Sequence, residues 1–480
     1  MMKKQRYLYS VLLSTFLLNA ETYAEFKASM HKDYNTFTTQ NHKEYSDFRT
    51  QMDKDFAKFL GRKWKKYGSK IKPVYRRPKP RVIPIPPQRV KPIEDNTPKV
   101  HILPMTPEPE ITPRLPRMSR IQKGYRSVDV NFFNQNLRFN YNEKLTYPLS
   151  TFNNSSIANY WNHQSSYEIQ KLLEEIKSYK QALNLSDWHL YLLINQFSKT
   201  ITSDENNAKL LSWFLLIKLG YDVKVGYKEN NIYMLVGLAQ TIAGVPYSRI
   251  GSRHYFNFDK VRGVRTYAQS FGQNRLLNLD DNRVPYLRQN IKTRTLSFND
   301  GFKAYHIPVS YNQNLIDLYD QYPRLRWRYY FSQNISPLTK EGLFPKLGAI
   351  MKNMSELEAV NFLLHLTQNS FKYKTDGQQF GEERSLFFEE SLNYPANDCE
   401  DRSIFFAKLV RGLLGLEVVA LYYPNHLATA VAFKSKLKGD SVKYEGRGYT
   451  ICDPTYINAN VGMTMSKFKG MKPIKIIPVL

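Results

Sequence analysis

Apolar residues recur at helical spacing near the end of the chain and then give way to three β-type runs. The segment 400–414 has a broad apolar face and Gly415 follows it, so we predict a buried helix with a left-handed stop. Strands are predicted at 417–423, 426–433 and 449–453, with a turn between the first two. The apolar positions of the helix are Ile404, Phe405, Leu409, Leu413 and Leu414.

An earlier segment, 207–227, follows the same plan of an apolar helix, a glycine and a β-type run. Asn230-Asn231 then occupies the place that Asn425-His426 holds near the C-terminus. Two interpretations stay open: a degenerate copy of one core, or a helix–glycine–strand unit of the common kind. Short β signals fill 255–308 and predict a sheet-rich insert.

An 11-residue repeat runs through 25–70, with an aromatic residue at the first and ninth positions of each unit. That period keeps the aromatic residues on one narrow stripe of a helix, which we predict here. A narrow stripe needs a partner, and self-association through 26–67, the body of the protein and an envelope partner all remain open. A solvated helix is the simplest alternative. The aromatic pairs are Phe26/Tyr34, Phe37/Tyr45, Phe48/Phe56 and Phe59/Tyr67.

Charge and proline are concentrated after the repeat. The formal net charge is +27, and 59–91 contains twelve lysines or arginines and no acidic residue. Thirteen of the 25 prolines lie between Pro73 and Pro116, so 71–118 is predicted to be a basic, semi-rigid linker. The basic run is either a solvated segment or a contact to an anionic surface. Nucleic acid is not expected as a partner.

The first 24 residues have the pattern of a secretory signal peptide. A basic start, Met1–Arg6, precedes an apolar stretch, and Thr22-Tyr23-Ala24 offers small residues for cleavage. We therefore expect a bacterial protein that is exported, most simply to the periplasm. An uncleaved signal anchor is the alternative.

Candidate chemistry lies in the C-terminal elements. Cys399 opens the predicted helix, His426 begins a strand, and Asp453 ends another. This order supplies a thiol nucleophile, a general base and an orienting carboxylate, and a helix N-terminus favours the thiolate. Each residue alone would more often be structural. Cys452, the second cysteine of the chain, is predicted to be a core residue, although a Cys399–Cys452 disulfide is an alternative.

The residues around this set resemble the bacterial transglutaminase-like superfamily of papain-like thiol enzymes. The similarity covers about the last 130 residues and includes the lead-in 373–376. It implies an α+β catalytic core at 336–480, with Cys399 as nucleophile, His426 as base and Asp453 as orienting acid. It also implies that Asp401 and Arg402 form a structural pair. The motifs are Asp398–Ser403, Tyr423–Ala428 and Cys452–Tyr456.

The expected function is a transglutaminase-like cysteine peptidase or amidase that cleaves envelope proteins or peptidoglycan through a thioester. A protein-crosslinking transamidase and a non-catalytic envelope scaffold are the alternatives. The preceding domain, 119–335, would hold the degenerate copy and the β-rich insert. Gln368 and Asn369 are weak candidates for a side-chain oxyanion donor. No cofactor or metal is expected, because the nine histidines lack metal-ligand spacing.

Overall fold

The computed structural model describes residues 40, 43–73, 93–105, 113, 115–116, 123–202, 204–299 and 303–479. The predicted signal peptide and most of the basic run lie outside the described residues. The chain divides into two units: the described part of Met1–Trp64 with Leu149–Tyr167, and Lys65–Pro148 with Glu168–Leu480. None of the described helices is long and apolar enough to cross a membrane.

The smaller unit contains helix α1 (43–60) and helix α2 (Asn154–Ser165). Phe56 of the aromatic stripe is buried, with its ring edge-on to Trp161 at 4.8 Å. Tyr45 and Phe48 are 61% exposed, so the described stripe is covered at one end only. The helix stops at residue 60, ten residues before the predicted boundary, and the strands Lys65–Lys66 and Ser69–Ile71 follow it.

The larger unit is mixed α and β, and its sheets are antiparallel apart from one short pair. Its first elements include two short strands that pair with 265–266 and 246–248, a local hairpin, and two helices that contact this hairpin. They are β1 (Lys65–Lys66), β2 (Ser69–Ile71), β3 (Tyr125–Phe132), β4 (Gln135–Asn142), α3 (Gln170–Ala182) and α4 (Asp187–Ile201).

The first α/β module, hereafter the first module, spans 205–266. Helix α5 packs on strand β6, and the sheet order is β1-β9-β5-β6-β8-β7-β2. The elements of the module are α5 (Glu205–Lys218), β5 (Val223–Lys228), β6 (Asn231–Gly237), β7 (Pro246–Ile250), β8 (Arg253–Phe256) and β9 (Arg265–Thr266).

A hairpin and several helices connect this module to the C-terminal one. The hairpin confirms the β signals near the end of 255–308, but the predicted sheet-rich insert is wrong for 257–290, a fully described stretch where the only strand is the two-residue β9. These elements are β10 (Ile291–Asn299), β11 (Ala304–Asn312), α6 (Gln313–Tyr319), α7 (Trp327–Ser332), α8 (Pro337–Met351), α9 (Glu356–Asn369), β12 (Lys372–Tyr373), α10 (Asp376–Gln379), α11 (Phe388–Asn393) and β13 (Ala396–Asn397).

The second module spans 399–478, and its helix α12 packs on strand β15. The predicted helix and strands are confirmed to within three residues at each end. A π-helical turn, Val410–Leu414, joins α12 to Gly415, whose φ of 64° is left-handed as predicted. The elements are α12 (Cys399–Leu409), β14 (Glu417–Tyr423), β15 (His426–Ala432), β16 (Ser441–Tyr444), β17 (Arg447–Cys452) and β18 (Lys475–Pro478).

The two modules share one topology. The order β7-β8-β6-β5-β9 of the first is the order β16-β17-β15-β14-β18 of the second, strand for strand, and all neighbours are antiparallel. In each, the helix packs on the second strand of a hairpin closed by a two-residue turn. The sequence predicted the shared start of this plan, but not the full strand order.

Local chemistry explains why both modules begin alike. Asp204 and Asp398 cap the two helices, and each side chain accepts hydrogen bonds from N–H groups of the first turn. Gly220 (φ 90°) and Gly415 (φ 64°) then end the helical segments in the left-handed region that favours glycine. The chain can therefore turn directly into the first strand of each hairpin.

Part of the predicted linker 71–118 is docked. Val100 N donates to Met354 O (2.9 Å), and Leu103 N donates to Leu413 O (2.8 Å). Ile93 lies so close to Gly462 that a Cβ there would be 2.7 Å from its Cδ1. The prediction of a semi-rigid linker is wrong for 93–103, because its apolar side chains pack on the helices and the second module.

Candidate active site

Cys399 is the first residue of α12 and is buried. Its position at the helix N-terminus favours a negative charge on sulfur. Its Sγ donates a hydrogen bond to Glu400 Oε2 at 3.1 Å. This hydrogen bond stabilises the protonated thiol, so a base is needed to remove the thiol proton.

His426 and Asp453 form a buried pair. The Nε2–H of His426 donates to Asp453 Oδ2 at 2.7 Å, because a carboxylate can only accept. This contact leaves Nδ1 as the basic nitrogen of the neutral ring. The ring stacks on Phe468 with a centroid distance of 5.1 Å, and Asp453 Oδ1 accepts from Thr455 N at 2.9 Å. The pair is therefore held from both sides in one orientation.

The helix that carries Cys399 is fixed to the strand that carries His426. Ser403, one turn along α12, donates its hydroxyl proton to Leu427 O at 2.9 Å, one residue after His426. The structure thus joins His426 to Asp453 directly and joins Cys399 to them through the packing of α12 on β15.

Cys452 behaves as the predicted core residue. Its side chain is fully buried, burial raises the pKa of its thiol far above the usual range, and its Sγ lies 3.5 Å from Thr450 O. Both cysteines are free thiols. The alternative of a Cys399–Cys452 disulfide is not what the structure contains.

The weak oxyanion candidates have other roles. Gln368 Nε2 donates to Asp453 O and Ala459 O, both at 3.1 Å, and Asn369 Nδ2 donates to His365 O. Gln368 therefore holds the loop after β17 in place. Neither side-chain amide matches the expected oxyanion role, since both donate to backbone carbonyls.

Asp401 and Arg402 are structural, but not as the pair that the resemblance implied. Asp401 accepts from the N–H groups of Leu386 and Asp398. Arg402 donates to backbone carbonyls at positions 368 and 371 instead. Each side chain thus anchors a different loop to the start of α12.

The backbone N–H groups at the start of α12, which are of the kind that stabilises an oxyanion, are partly occupied. The carboxylate of Asp398 accepts from Glu400 N and from the N–H of the third helical residue, Asp401. Tyr373 offers an alternative that the sequence did not reveal. Its hydroxyl is buried and has no hydrogen-bond partner among the described residues, and its Cα is paired with Asn397, two residues before Cys399.

Burial, together with nearby negative charge, keeps the Tyr373 hydroxyl protonated. Burial raises its pKa, and the charges of Cys399, Asp398 and Glu400 raise it further. The guanidinium of Arg402, 5.4 Å from the ring centroid, acts in the opposite direction but is weaker. Tyr373 can therefore donate a hydrogen bond near the thiol at any physiological pH.

A buried acidic cluster lies behind the thiol. Burial and mutual repulsion raise the pKa of Asp376, Asp398 and Asp401, so protons are retained in the cluster near neutral pH. Their oxygens lie within 4.8 Å of one another, which is also close enough to hold a cation. The sequence showed these acids but not their convergence, because 376 and 398 are distant along the chain.

A cleft of about 800 Å³ reaches Cys399. Its volume is in the range of small-molecule and peptide-side-chain sites. Cys399 and Asp398 come from the second module and its cap, while Phe258 and Lys260 come from the first. Residues between the modules complete it, among them Tyr322, Arg324, Glu383 and Arg384. The role of the first module as a wall of this cleft was not predicted.

Comparisons with protein-family models, with curated proteins and with solved structures found no match to this chain. The chemistry of the site therefore rests on its own geometry: a thiol at a helix N-terminus, an oriented histidine and a cleft that ends at the sulfur.

Proposed function

We propose that this protein is an exported thiol hydrolase that cleaves peptide or amide bonds of envelope proteins or peptidoglycan. The observation that carries the proposal is the buried His426–Asp453 hydrogen bond of 2.7 Å beside a helix that begins with Cys399. A histidine with one nitrogen fixed by a carboxylate has its other nitrogen available as a base. The cleft that reaches Cys399 gives a substrate access to the sulfur.

In the first half-reaction, His426 Nδ1 accepts the thiol proton as Cys399 Sγ attacks the carbonyl carbon of the substrate. The C=O electron pair moves to the oxygen and forms an oxyanion. When that pair returns, the C–N bond breaks and the imidazolium of His426 gives its proton to the leaving amine. The products are a free amine and a thioester on Cys399.

In the second half-reaction, water attacks the thioester carbon while His426 accepts its proton. Collapse of the oxyanion breaks the C–S bond, releases a carboxylic acid and returns the proton to sulfur. A lysine amine in place of water would give a cross-linked amide by the same steps. Asp453 holds the ring in the required tautomer throughout.

Tyr373 is the proposed side-chain donor to the oxyanion. Its hydroxyl keeps its proton, lacks a partner among the described residues and belongs to a strand paired with the segment that leads into Cys399. A donor that is already in place needs no reorganisation when the charge develops.

The same proposal includes the fold and the location. The second module is assigned as a transglutaminase-like catalytic core, and the first as its degenerate copy, which their common strand order supports. Export follows from the pattern of the first 24 residues. An anionic surface remains the proposed partner of 59–91.

A peptide digest with an amine probe tests the reaction. Purified full-length protein is incubated with an equimolar peptide mixture and a fluorescent primary amine, and the products are identified by mass spectrometry. We expect new carboxyl termini that are absent with Cys399→Ala, while the matched variant Cys452→Ala leaves cleavage intact. Amine incorporation in place of cleavage would establish the transamidase. If neither cleavage nor amine incorporation is detected, the enzyme proposal is contradicted and the envelope scaffold remains.

A further inference from the structure

The turns that follow β8 and β17 have the same hydrogen bonds. Asp453 Oδ1 accepts from Thr455 N (2.9 Å), and Asp453 O accepts from Tyr456 N (3.2 Å). Asn257 Oδ1 accepts from Asp259 N (3.0 Å), and Asn257 O accepts from Lys260 N (3.1 Å). Asn257 is therefore the counterpart of the orienting acid in the second module.

The first module uses its corresponding positions for structure. Asn257 Nδ2 donates to Val261 O at 2.9 Å, which closes the turn 257–261 on itself. Asn231 starts β6 where His426 starts β15, and its neighbour Ile232 donates its N–H to Asn206 Oδ1 at 2.8 Å. Amides therefore replace the imidazole and the carboxylate of the second module at these two positions, and the first module contains no cysteine.

The closed turn presents two side chains to the cleft. Phe258 and Lys260 both line it, together with Trp188, whose ring lies 5.1 Å from that of Phe258. Lys260 has a left-handed backbone with φ 59°, a conformation that is unfavourable for a residue with a Cβ and that the bonds of Asn257 maintain. The turn therefore holds the backbone from which the Lys260 side chain projects.

Of the three cationic side chains that line this cleft among the described residues, Lys260 is the one available to bind a ligand. It is exposed and forms no ion pair within the described part of the chain. The other two cations are already paired: Arg324 with Glu383 at 3.4 Å, and Arg384 with both Asp320 and Glu390. A carboxylate can therefore pair with Lys260 while an apolar group packs on the aromatic rings beside it.

We propose that the turn 257–261 of the non-catalytic first module forms a substrate subsite in which Lys260 binds an acidic side chain of a peptide. The inference rests on the proposed hydrolase function for its substrate, a protein segment lying across the cleft. Glu382, exposed on the loop 381–385, also lines this cleft and would repel an acidic side chain placed beside it.

Binding to the inactive full chain tests the subsite. Immobilised Cys399→Ala protein is exposed to a random nonapeptide mixture, and retained peptides are sequenced by mass spectrometry. Acidic residues should be enriched about threefold to fivefold over their amide counterparts, as expected for an exposed charge pair. Adding Lys260→Ala should remove the enrichment, and Lys260→Glu should replace it with enrichment of lysine and arginine. Lys228→Ala, an exposed lysine of the same module outside the cleft, should leave it unchanged.

The outcomes separate the subsite from the reaction. Absence of retained peptides, absence of acidic enrichment, or enrichment that survives Lys260→Ala would overturn the subsite. Retention of peptidoglycan fragments alone, with the same dependence on Lys260, would show that a protein peptide is the wrong ligand class. Enrichment that depends on Lys260, without cleavage by the wild type, would keep the subsite and refute the hydrolase. Cleavage by the wild type without acidic enrichment would support the hydrolase and refute the subsite.

Discussion

In the second module, the strand β15 begins with His426, and the turn after β17 begins with Asp453, to which the imidazole is bonded. In the first module, Asn231 and Asn257 hold the same two places, and the amide of Asn257 bonds to its own turn. One strand order therefore supports two outcomes. The comparison shows that the same topology holds a histidine–carboxylate pair in one module and a self-bonded amide turn in the other, according to the residue at each position.

Buried histidines differ in the same way. His189, on α4, has both ring nitrogens occupied: Nδ1 accepts from Ser186 N, and Nε2 contacts the hydroxyl of Tyr322 at 2.7 Å. His426 has one nitrogen bound to Asp453, which leaves the other for a proton transfer. A histidine that is fixed on both sides stabilises structure, and one that is fixed on one side can act as a base.

The largest expected effect comes from the nucleophile. Cys399→Ala should lower kcat/KM for peptide cleavage by about 1,000-fold or more, because the thioester cannot form. Glu205→Ala changes the corresponding position of the first module, directly after the cap Asp204, and should leave the rate within about twofold. Comparable losses in both variants would contradict the assignment of chemistry to one module.

The orienting acid should come next. Asp453→Asn should lower kcat by about 100-fold to 10,000-fold, since an amide can hold the wrong tautomer of His426. Steady-state kinetics on a cleaved peptide measure the loss, with Asn231→Ala as the control at a corresponding position of the first module. An Asp453→Asn enzyme of wild-type rate would mean that the pair is structural.

Removal of the proposed oxyanion donor should have a moderate effect. Tyr373→Phe deletes one hydroxyl and should lower kcat about 10-fold to 100-fold with little change in KM, because the bond forms in the transition state. Cys399 alkylation should keep its wild-type rate, as the hydroxyl acts on the substrate. Tyr233→Phe, on β6, is the matched control; an unchanged kcat in Tyr373→Phe would exclude the donor role.

Acid should destabilise the structure through His189. Burial lowers the pKa of His189 to about 3, whereas the pKa of histidine in the unfolded chain is near 6.5. Above about pH 6.5 the ring is neutral in both states and its ionisation does not affect the free energy of unfolding. Below that value the unfolded chain gains a proton that the folded chain does not, and stability falls as pH decreases. At pH 5 the loss should be roughly 2 kcal/mol relative to pH 7.

Urea denaturation of His189→Gln measures that contribution. The variant should lack this part of the pH dependence, whereas His101→Gln, at an exposed histidine, should retain it. If the free energy of unfolding changes equally between pH 7 and pH 5 in wild type and in His189→Gln, a buried neutral histidine is refuted.

The smallest effect tests the shared turn of the modules. Gly220→Ala and Gly415→Ala each place a Cβ on left-handed backbone, and each should lower the free energy of unfolding by about 1 kcal/mol. Open space surrounds Gly220, while a Cβ at Gly415 would meet Leu103 at 3.3 Å, the end of a flexible side chain. Denaturant midpoints measure both; a neutral substitution at either site would show that its turn differs from the other.

The sequence predicted the elements of the second module because glycine and proline mark their ends. The order Cys399, His426, Asp453 also placed a candidate triad, and the structure joins two of its members directly. The docked stretch 93–103 was predicted to be a tether, since proline content reports the local backbone preference and not the partners of Ile93 or Leu103.

Long-range contacts explain what else the sequence did not predict. Tyr373 approaches the thiol through a strand pair of two residues on each side, too short to leave a pattern. The cleft wall depends on a turn of the first module and on Cys399, which are far apart along the chain. The periodicity of a single sequence does not predict contacts between segments that are far apart along the chain.

Alkylation of the two cysteines across pH tests the central claim most directly. The purified protein and its His426→Ala variant are treated with iodoacetamide, and labelling of each cysteine is measured by mass spectrometry. We predict fast labelling of Cys399, which lines the cleft, well below pH 8 and slowed in His426→Ala, while Cys452, which does not line it, stays unlabelled. Labelling of Cys399 only at the pH of an ordinary thiol, unchanged by His426→Ala, would contradict an activated nucleophile.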